Sequence, residues 1–502
     1  MADPLVLTGA GLSAATLAAA ARDARQIALD PAGLARMSET HALVQRAIET
    51  KTPVYGVTTG LGARSTEALD ADALSAFSLQ TLRGRAHAIG PKAPPEMVRA
   101  ALIVRLNAFQ TGYSAARPEV AQHIATCLNA GLTPVTGLWG SVGVADLLPN
   151  AMMALALVGE GEMCAADGTT GPSEDMMRAL GMSPLTLAPR DGLALASHSG
   201  FTVGAAALAV ADAAAALQAA QTAAAFTMEG FRANLSPTES RVLAVKPHVG
   251  QRWAGEDLRA RLAGSALFEK GAARRLQDPL SLRNVVHIHG PVQEALMQAQ
   301  AVLEIEINGS SDNPVALAAD GEMVSNGAYF TGEIALSVEA LSRAFVPLAM
   351  AQLARITKLQ DPQFSGLPLF LSSPDSASAG LAPLTKTAEV AVAKIVRAAQ
   401  PTPVWPSLSA NGVEDGMTHA PTSIEGLAEL VGQTRYLSAI EMLVAAQAID
   451  LRGEDVRLGP YLSRVHAEVR DISPILVEDR PLGQDVERLA SIDMWRVAQP
   501  DG

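Results

Sequence analysis

Apolar residues recur at spacings of three and four through 96–130, 201–230, 291–307, 333–358, 379–400 and 423–450, the period of a helix that turns one face to a core. Several of these runs are long for a globular helix, so the pattern predicts a mainly α protein built from long helices packed side by side in a bundle. The run "FTVGAAALAVADAAAALQAAQTAAAFTMEGF" has the length of a membrane span. Its alanine content and its interruption by Asp212, Gln218 and Gln221 instead predict a buried bundle helix.

Between the runs lie polar, glycine-rich or proline-rich stretches: "VYGVTTGLGARS" (54–65), "TGLWGSVGVADLLPN" (136–150), "RDGLALASHSG" (190–200), "RRLQDPLSLRN" (274–284), "INGSSDNPV" (307–315) and "PSLSANGVEDGM" (406–417). Chemistry is expected on such loops, held by the rigid helices. The pattern divides the chain into an N-terminal region (1–200), a central long-helix region (201–360) and a C-terminal helical region (361–502).

Composition narrows the function classes. The chain has 502 residues, 49% of them apolar, enough for a large core. Lysine and arginine number 38 against 51 acidic residues, a net charge of −13, so neither nucleic acid nor an anionic membrane surface is an expected partner. Cys127 and Cys164 stand far apart with no pairing motif; two buried free thiols and a reducing, cytoplasmic setting are expected. The N-terminus carries Asp3 where an export signal would be basic. P-loop, GxGxxG and HExxH patterns are absent. His287 and His289 alternate in "VVHIHGP", as on a strand-like segment that could offer two metal ligands, but no third ligand stands near them in sequence, so no metal is expected.

Taken in order, "PLVLTGAGLSAATL", "YGVTTGLG", "LQDPLSLR", "EIEINGSSDNP" and "SANGVED" resemble the motifs of the aromatic amino acid ammonia-lyase family over nearly the whole chain. The resemblance implies that family's long-helix fold, a homotetramer, and active sites assembled from loops of three subunits. It places the tyrosine loop and the electrophile loop in the N-terminal region and has the C-terminal region complete the site. The related fumarase and aspartase lyases carry a "GSSxMPxKxN" loop, of which "GSSDNP" shares only the opening.

Members of the family cyclise an Ala-Ser-Gly triplet into the electrophile 4-methylideneimidazol-5-one. Here "GSVGVADLLPN" is one residue shorter, and Val144, Ala145 and Asp146 stand in place of the triplet, with no serine to dehydrate and no glycine nitrogen to attack. Ser141 is followed by β-branched Val142, a hindered nucleophile. In the loop 190–200, Ser197 or His198 stands where the family has an asparagine that contacts the electrophile. No cofactor is therefore expected. Without the electrophile an ordinary amine leaves poorly, whereas a quaternary ammonium leaves unaided as a neutral tertiary amine. The expected substrate is a small betaine.

By the same resemblance, Tyr55 corresponds to the catalytic tyrosine, a base if its phenolate is favoured. Arg283 corresponds to the carboxylate-binding arginine, suited to a bidentate grip, with Gln277 assisting substrate or loop. Leu280 replaces the family tyrosine between them. Asn313 either supports the site by hydrogen bonds or simply forms a turn, and Tyr329 takes an aromatic position against the substrate cation. His87 and Glu414 match residues placed near an imidazole ring, while Lys386 stands where histidine-specific members are apolar. An ammonium there can take up charge on a ring sulfur as the neighbouring carbon loses its proton; the alternative is a surface lysine paired with Glu389. Together these residues resemble the electrophile-lacking, ergothionase-type branch, whose reaction eliminates trimethylamine from ergothioneine to give thiourocanate. Two alternatives stay open: a lyase on another betaine such as hercynine, and a non-catalytic relative that binds a ligand.

Overall fold

The structure is a computed structural model that describes residues 3–62, 67–69, 71–372, 378–402, 409–453 and 456–492. It is mostly helical, as the periodicity predicts. The helices Gly200–Phe231, Gly332–Leu359, Ala382–Ala398 and Ala420–Arg452 fall within a few residues of the predicted runs. The run 96–130 is two helices, Pro95–Gln110 and Pro118–Asn129, because Gly112 takes a φ of +87° in the intervening turn and Pro118 starts the second helix at the position where its missing N–H costs nothing. The segment "VVHIHGP" opens the helix Val285–Asn308 rather than a strand. Val285, Val286 and His289 are buried and His287 is exposed, which is a helical pattern that the short alternation hides.

The chain forms two compact units, each drawn from separate stretches: 1–211, 299–338 and 402–424 in the first, 212–298, 339–401 and 425–502 in the second. The boundaries near 211, 298, 338 and 424 fall inside long helices.

In the first unit the helix Pro95–Gln110 is buried from Val98 to Gln110 on every side, the mark of a central helix. Helices Ala14–Arg22, Pro31–Thr50 and Pro118–Asn129 pack on it. Their ends are set locally: Ser13 caps the first by accepting from Thr16 N at 3.1 Å, and Asp30 with Pro31 starts the second. Gly204 lets the start of the Gly200–Phe231 helix approach, since a Cβ there would lie 2.6 Å from the Ala101 nitrogen. Small two- and three-stranded sheets edge the unit. Leu5–Leu7 pairs in parallel with Ile27–Leu29, Leu5 opposite Ile27, and Ile89–Lys92 lies antiparallel to Gly137–Trp139.

A buried charge cluster fixes the loop 310–314 to this helical frame. The Arg105 guanidinium donates to both Asp312 carboxylate oxygens at 2.8 Å, and Arg190 donates to the same carboxylate at 3.2 Å and to the Pro314 carbonyl at 3.0 Å. Burial raises the Asp312 pKa, yet the Arg105 and Arg190 charges overcome it and hold the carboxyl below its ordinary value. Burial pushes Arg190 down to about 10. In the second unit, Glu441 is likewise buried against Arg355 and accepts from Thr227 Oγ1 at 2.9 Å.

The expected buried thiols are realised at Cys127, whose pKa burial pushes up to about 12; Cys164 is half-buried at the end of the short central strand Glu162–Cys164 of a three-stranded sheet. His289 is bonded to Gln221 Oε1 at 2.9 Å, and among the described residues no group of three or more His, Cys, Asp or Glu side chains is placed to hold a metal. Asp191–Phe231 and Gly332–Leu359 are long and apolar enough to cross a membrane by length and composition, and both are mostly buried.

Substituting Asp312 by alanine leaves two buried guanidinium groups without their anion and is expected to cost about 3–5 kcal/mol of stability, measured by chemical denaturation at neutral pH. Because the folded carboxyl lies below its unfolded value, its stabilisation is complete above about pH 4 and is lost as pH falls through the folded pKa. Acid unfolding of the wild type should show that loss, and the Asp312→Ala protein should lack it.

Candidate active site

The loop 140–146 is held by its backbone to two other segments of the first unit. Ala145 N donates to the Tyr329 carbonyl at 3.2 Å and Thr331 N to the Gly143 carbonyl at 3.3 Å, so Val144 and Phe330 form an antiparallel bridge. His419 N donates to the Val142 carbonyl at 2.9 Å, and Thr331 Oγ1 and Thr418 Oγ1 reach the Gly143 carbonyl at 2.7 and 3.1 Å. Only glycine fits at 143: its φ is +79°, and a Cβ would lie 1.8 Å from Thr418 Oγ1. Ala145 and Asp146 follow in the left-handed region, with φ of +61° and +44°.

Asp146 explains how the loop tolerates that conformation. It stands at the start of the helix Leu147–Leu157 but makes no side-chain cap there. Its carboxylate instead accepts from Thr202 N at 2.8 Å and Thr202 Oγ1 at 2.6 Å, in the first turn of the Gly200–Phe231 helix, where backbone donors lack helical partners and the dipole favours an anion. Ser141 Oγ donates to the same carboxylate and accepts from Gly143 N at 3.0 Å. Burial pushes the Asp146 carboxyl up, while the Ser141 and Thr202 donors pull it down. Next to it, His198 Nδ1 accepts from Gly200 N at 3.0 Å, and burial drives the imidazole pKa far down, so this histidine is neutral and structural.

Beside this loop lies a cavity of about 700 Å³ whose walls include Tyr55, Arg85, Val144, Ala145, Leu193, Ser197, Asn313, Tyr329, Phe330, Glu414 and Met417, a volume suited to a small organic ligand. Tyr55 is on the turn after the Pro31–Thr50 helix, and its hydroxyl accepts from Gly62 N at 3.2 Å. Asn313 Oδ1 accepts from Asn326 N at 3.0 Å, which ties the loop carrying Asn313 to the one leading to Tyr329. The short bridge between Ser409 and Glu414 presents the glutamate. Burial raises the Tyr329 pKa, with Tyr55 and Glu414 adding to it, so Tyr329 keeps its proton and can donate. Phenol, carboxylate, guanidinium and two aromatic faces thus share one partly apolar space, an arrangement able to move a proton and to hold a cation.

Of the residues singled out from sequence, the structure gathers Tyr55, Asn313, Tyr329 and Glu414 on this cavity together with Val144 and Ala145, with Asp146 buried behind them. His87 is exposed, and Arg85, two positions earlier, takes the place on the wall. Between the two candidates in the loop 190–200, Ser197 faces the cavity and His198 is buried. Gln277, Arg283 and Lys386 belong to the second unit. Gln277 Oε1 accepts from Arg283, and Lys386 is exposed on the Ala382–Ala398 helix. Arg85 is one of the wall residues that sequence reasoning passed over. Its signal was a second arginine in "RGRAHAIG", just beyond the end of the Ala71–Arg83 helix where periodicity no longer assigns faces.

The aromatic amino acid lyase family model matches residues 12–471. Histidine ammonia-lyase of Symbiobacterium thermophilum is 33% identical over 96% of this chain and 95% of its own, and that of Geobacillus thermodenitrificans is 32% identical over 98% and 97%. The solved structure of ergothionase from Treponema denticola, in complex with desmethyl-ergothioneine sulfonic acid, superposes with a TM-score of 0.93 at 27% identity, covering 99% of both chains. Histidine ammonia-lyase from Trypanosoma cruzi gives 0.90 at 26% identity, covering 98% of this chain and 94% of that one. The chain belongs to the aromatic amino acid lyase family and has its fold.

The residues at 144–146 do not fit the electrophile that members of this family form by cyclisation. They offer no hydroxyl for elimination. The nearest, Ser141 Oγ, is engaged by Asp146 and Gly143 N, and the backbone of Val144 and Ala145 is committed to the segment 329–330.

Replacing Asp146 by asparagine puts an amide against donors and should lower stability by about 1–3 kcal/mol. A double-mutant cycle with Thr202→Val should give a coupling energy of about 0.5–3 kcal/mol; additive losses would mean that the capping bonds are not what holds the loop.

Proposed function

We propose that the protein is a carbon–nitrogen lyase that eliminates trimethylamine from ergothioneine to form thiourocanate, with no methylideneimidazolone group. The observation that carries this reading is the cavity itself: a tyrosine, a glutamate and aromatic faces of the kind a betaine of an imidazole amino acid requires, set against a loop that lacks the parts of an electrophile. The likeness to Treponema denticola ergothionase supports it. The histidine ammonia-lyase relatives make histidine the necessary control.

In this reading Tyr55 as phenolate takes a proton from the carbon beside the imidazole ring. The electrons of that C–H bond form the new carbon–carbon double bond, and the C–N bond breaks with its pair going to nitrogen. The leaving group is neutral trimethylamine, the proton stays on Tyr55, and no electrophile is needed. Tyr329 and Phe330 hold the quaternary ammonium by cation–π and dispersion contacts worth about 0.5–2 kcal/mol each. Glu414 accepts from a ring N–H.

The carboxylate is assigned to Arg283 with Gln277, and the ring sulfur to Lys386. These residues are supplied by neighbouring copies of the chain in a cytoplasmic homotetramer, as the family resemblance implies. His87 is assigned to the same ring environment and Asn313 to support of the loop. An ammonium at the sulfur acts as charge accumulates on the thione, so its contribution falls in the transition state.

Purified protein incubated with ergothioneine should release thiourocanate, followed by absorbance, and trimethylamine in equal amounts, with histidine and hercynine unreactive. No product from ergothioneine sinks the proposal, and turnover of hercynine alone moves it to the other betaine. Tyr55→Phe should lower kcat by roughly 10²–10⁴-fold. Lys386→Met should lower kcat on ergothioneine by roughly 10²-fold while changing KM little; equal losses on all betaines would take the lysine away from the sulfur.

A further inference from the structure

The cavity holds a charged group to which the mechanism above gives no task. Arg85 is half-buried on the same wall as Tyr55 and Glu414. Among the described residues its guanidinium makes one hydrogen bond, a long one of 3.3 Å from Nη1 to the Thr81 carbonyl. A guanidinium has five N–H donors, so most of its bonding capacity is unspent on its own scaffold. An arginine whose purpose was to fix the turn after the Ala71–Arg83 helix would place more of those donors on backbone carbonyls, as buried Arg190 does with Ser114, Asn313 and Pro314.

We propose that Arg85 is a positioning residue that holds Tyr55 in its phenolate form, a role that rests on the reading of Tyr55 as the base. The groups that set the field at Tyr55 on the cavity wall are Arg85, Tyr329, Glu414 and Asp415. Glu414 and Asp415 oppose ionisation of the phenol, Tyr329 as a neutral phenol adds no charge, and Arg85 is the cation that favours ionisation. Burial lowers the Arg85 pKa, and Tyr55 and Glu414 act to raise it. Such coupling is reciprocal, so the guanidinium that a phenolate stabilises stabilises the phenolate equally. Arginine suits the task because its guanidinium keeps its charge through the whole pH range in which a phenol ionises.

The test needs no substrate. The chain has five tyrosines, and the ionisation step of Tyr55 is isolated by subtracting the ultraviolet phenolate titration of Tyr55→Phe from that of the wild type. Arg85→Gln and Arg85→Met should each move that step up by about 1 pH unit or more, the scale of an opposite charge at close range. Arg85→Lys should return it towards the wild-type position, and Glu414→Gln should move it down. A folded neutral variant whose Tyr55 step coincides with the wild type overturns the proposal. If ergothioneine is a substrate, the acid limb of kcat/KM should move with the titration and turnover near neutrality should fall about tenfold per unit. Failure to turn over ergothioneine refutes the substrate assignment while the titration still decides the role of Arg85.

Discussion

The Asp312 carboxylate, sealed between Arg105 and Arg190, is the constraint on which the rest of the site depends. A buried charge is costly unless its partners are fixed in place, and here they are fixed by unlike elements: a central helix and the residue just ahead of the Asp191–Ala196 helix. The carboxylate therefore locks the segment 310–314 in one position. Asn313 then has a defined place on the cavity, and through Asn326 so does the approach to Tyr329 and Phe330. The loop 142–145 reads its own position from that strand-like segment by backbone bonds. Aromatic wall and degenerate loop are thus two consequences of one ion cluster beneath them.

Long helices were legible because their apolar repeats persist for many turns, and each is buried enough that pattern and packing agree. The first turns of the Val285–Asn308 helix were not, since His287 and His289 read as alternation over a stretch too brief to separate two periods, and only burial of Val285, Val286 and His289 resolves it. The order of loops pointed to the family because each loop carries its own unusual residues. Facing was harder to read. Past Arg83 the chain leaves its helix, a turn from His87 N to the Arg85 carbonyl at 2.8 Å rotates neighbouring side chains apart, and no sequence rule says which of Arg85 and His87 meets the cavity.

Asp146 shows the same limit at longer range. It stands just before the Leu147–Leu157 helix, but its partner is Thr202, 56 positions away. Its positive φ turns the carboxylate away from its own helix. The three regions read from sequence are contiguous, whereas each compact unit is assembled from three separate stretches; contiguity is the only grouping a pattern along the chain can express.

The bond from Asp146 to the Gly200–Phe231 helix has a consequence for descent. A lineage that traded a cyclising triplet for this sequence gained a carboxylate that satisfies both the amide and the hydroxyl of Thr202 as well as Ser141. Going back would require inserting a residue, restoring serine and glycine, and finding new partners for two buried donors and one half-buried donor at once, because each single step leaves some of them unsatisfied. The loop behaves as a ratchet: the bonds that hold this sequence in its present shape are the same ones that a return to serine and glycine would break.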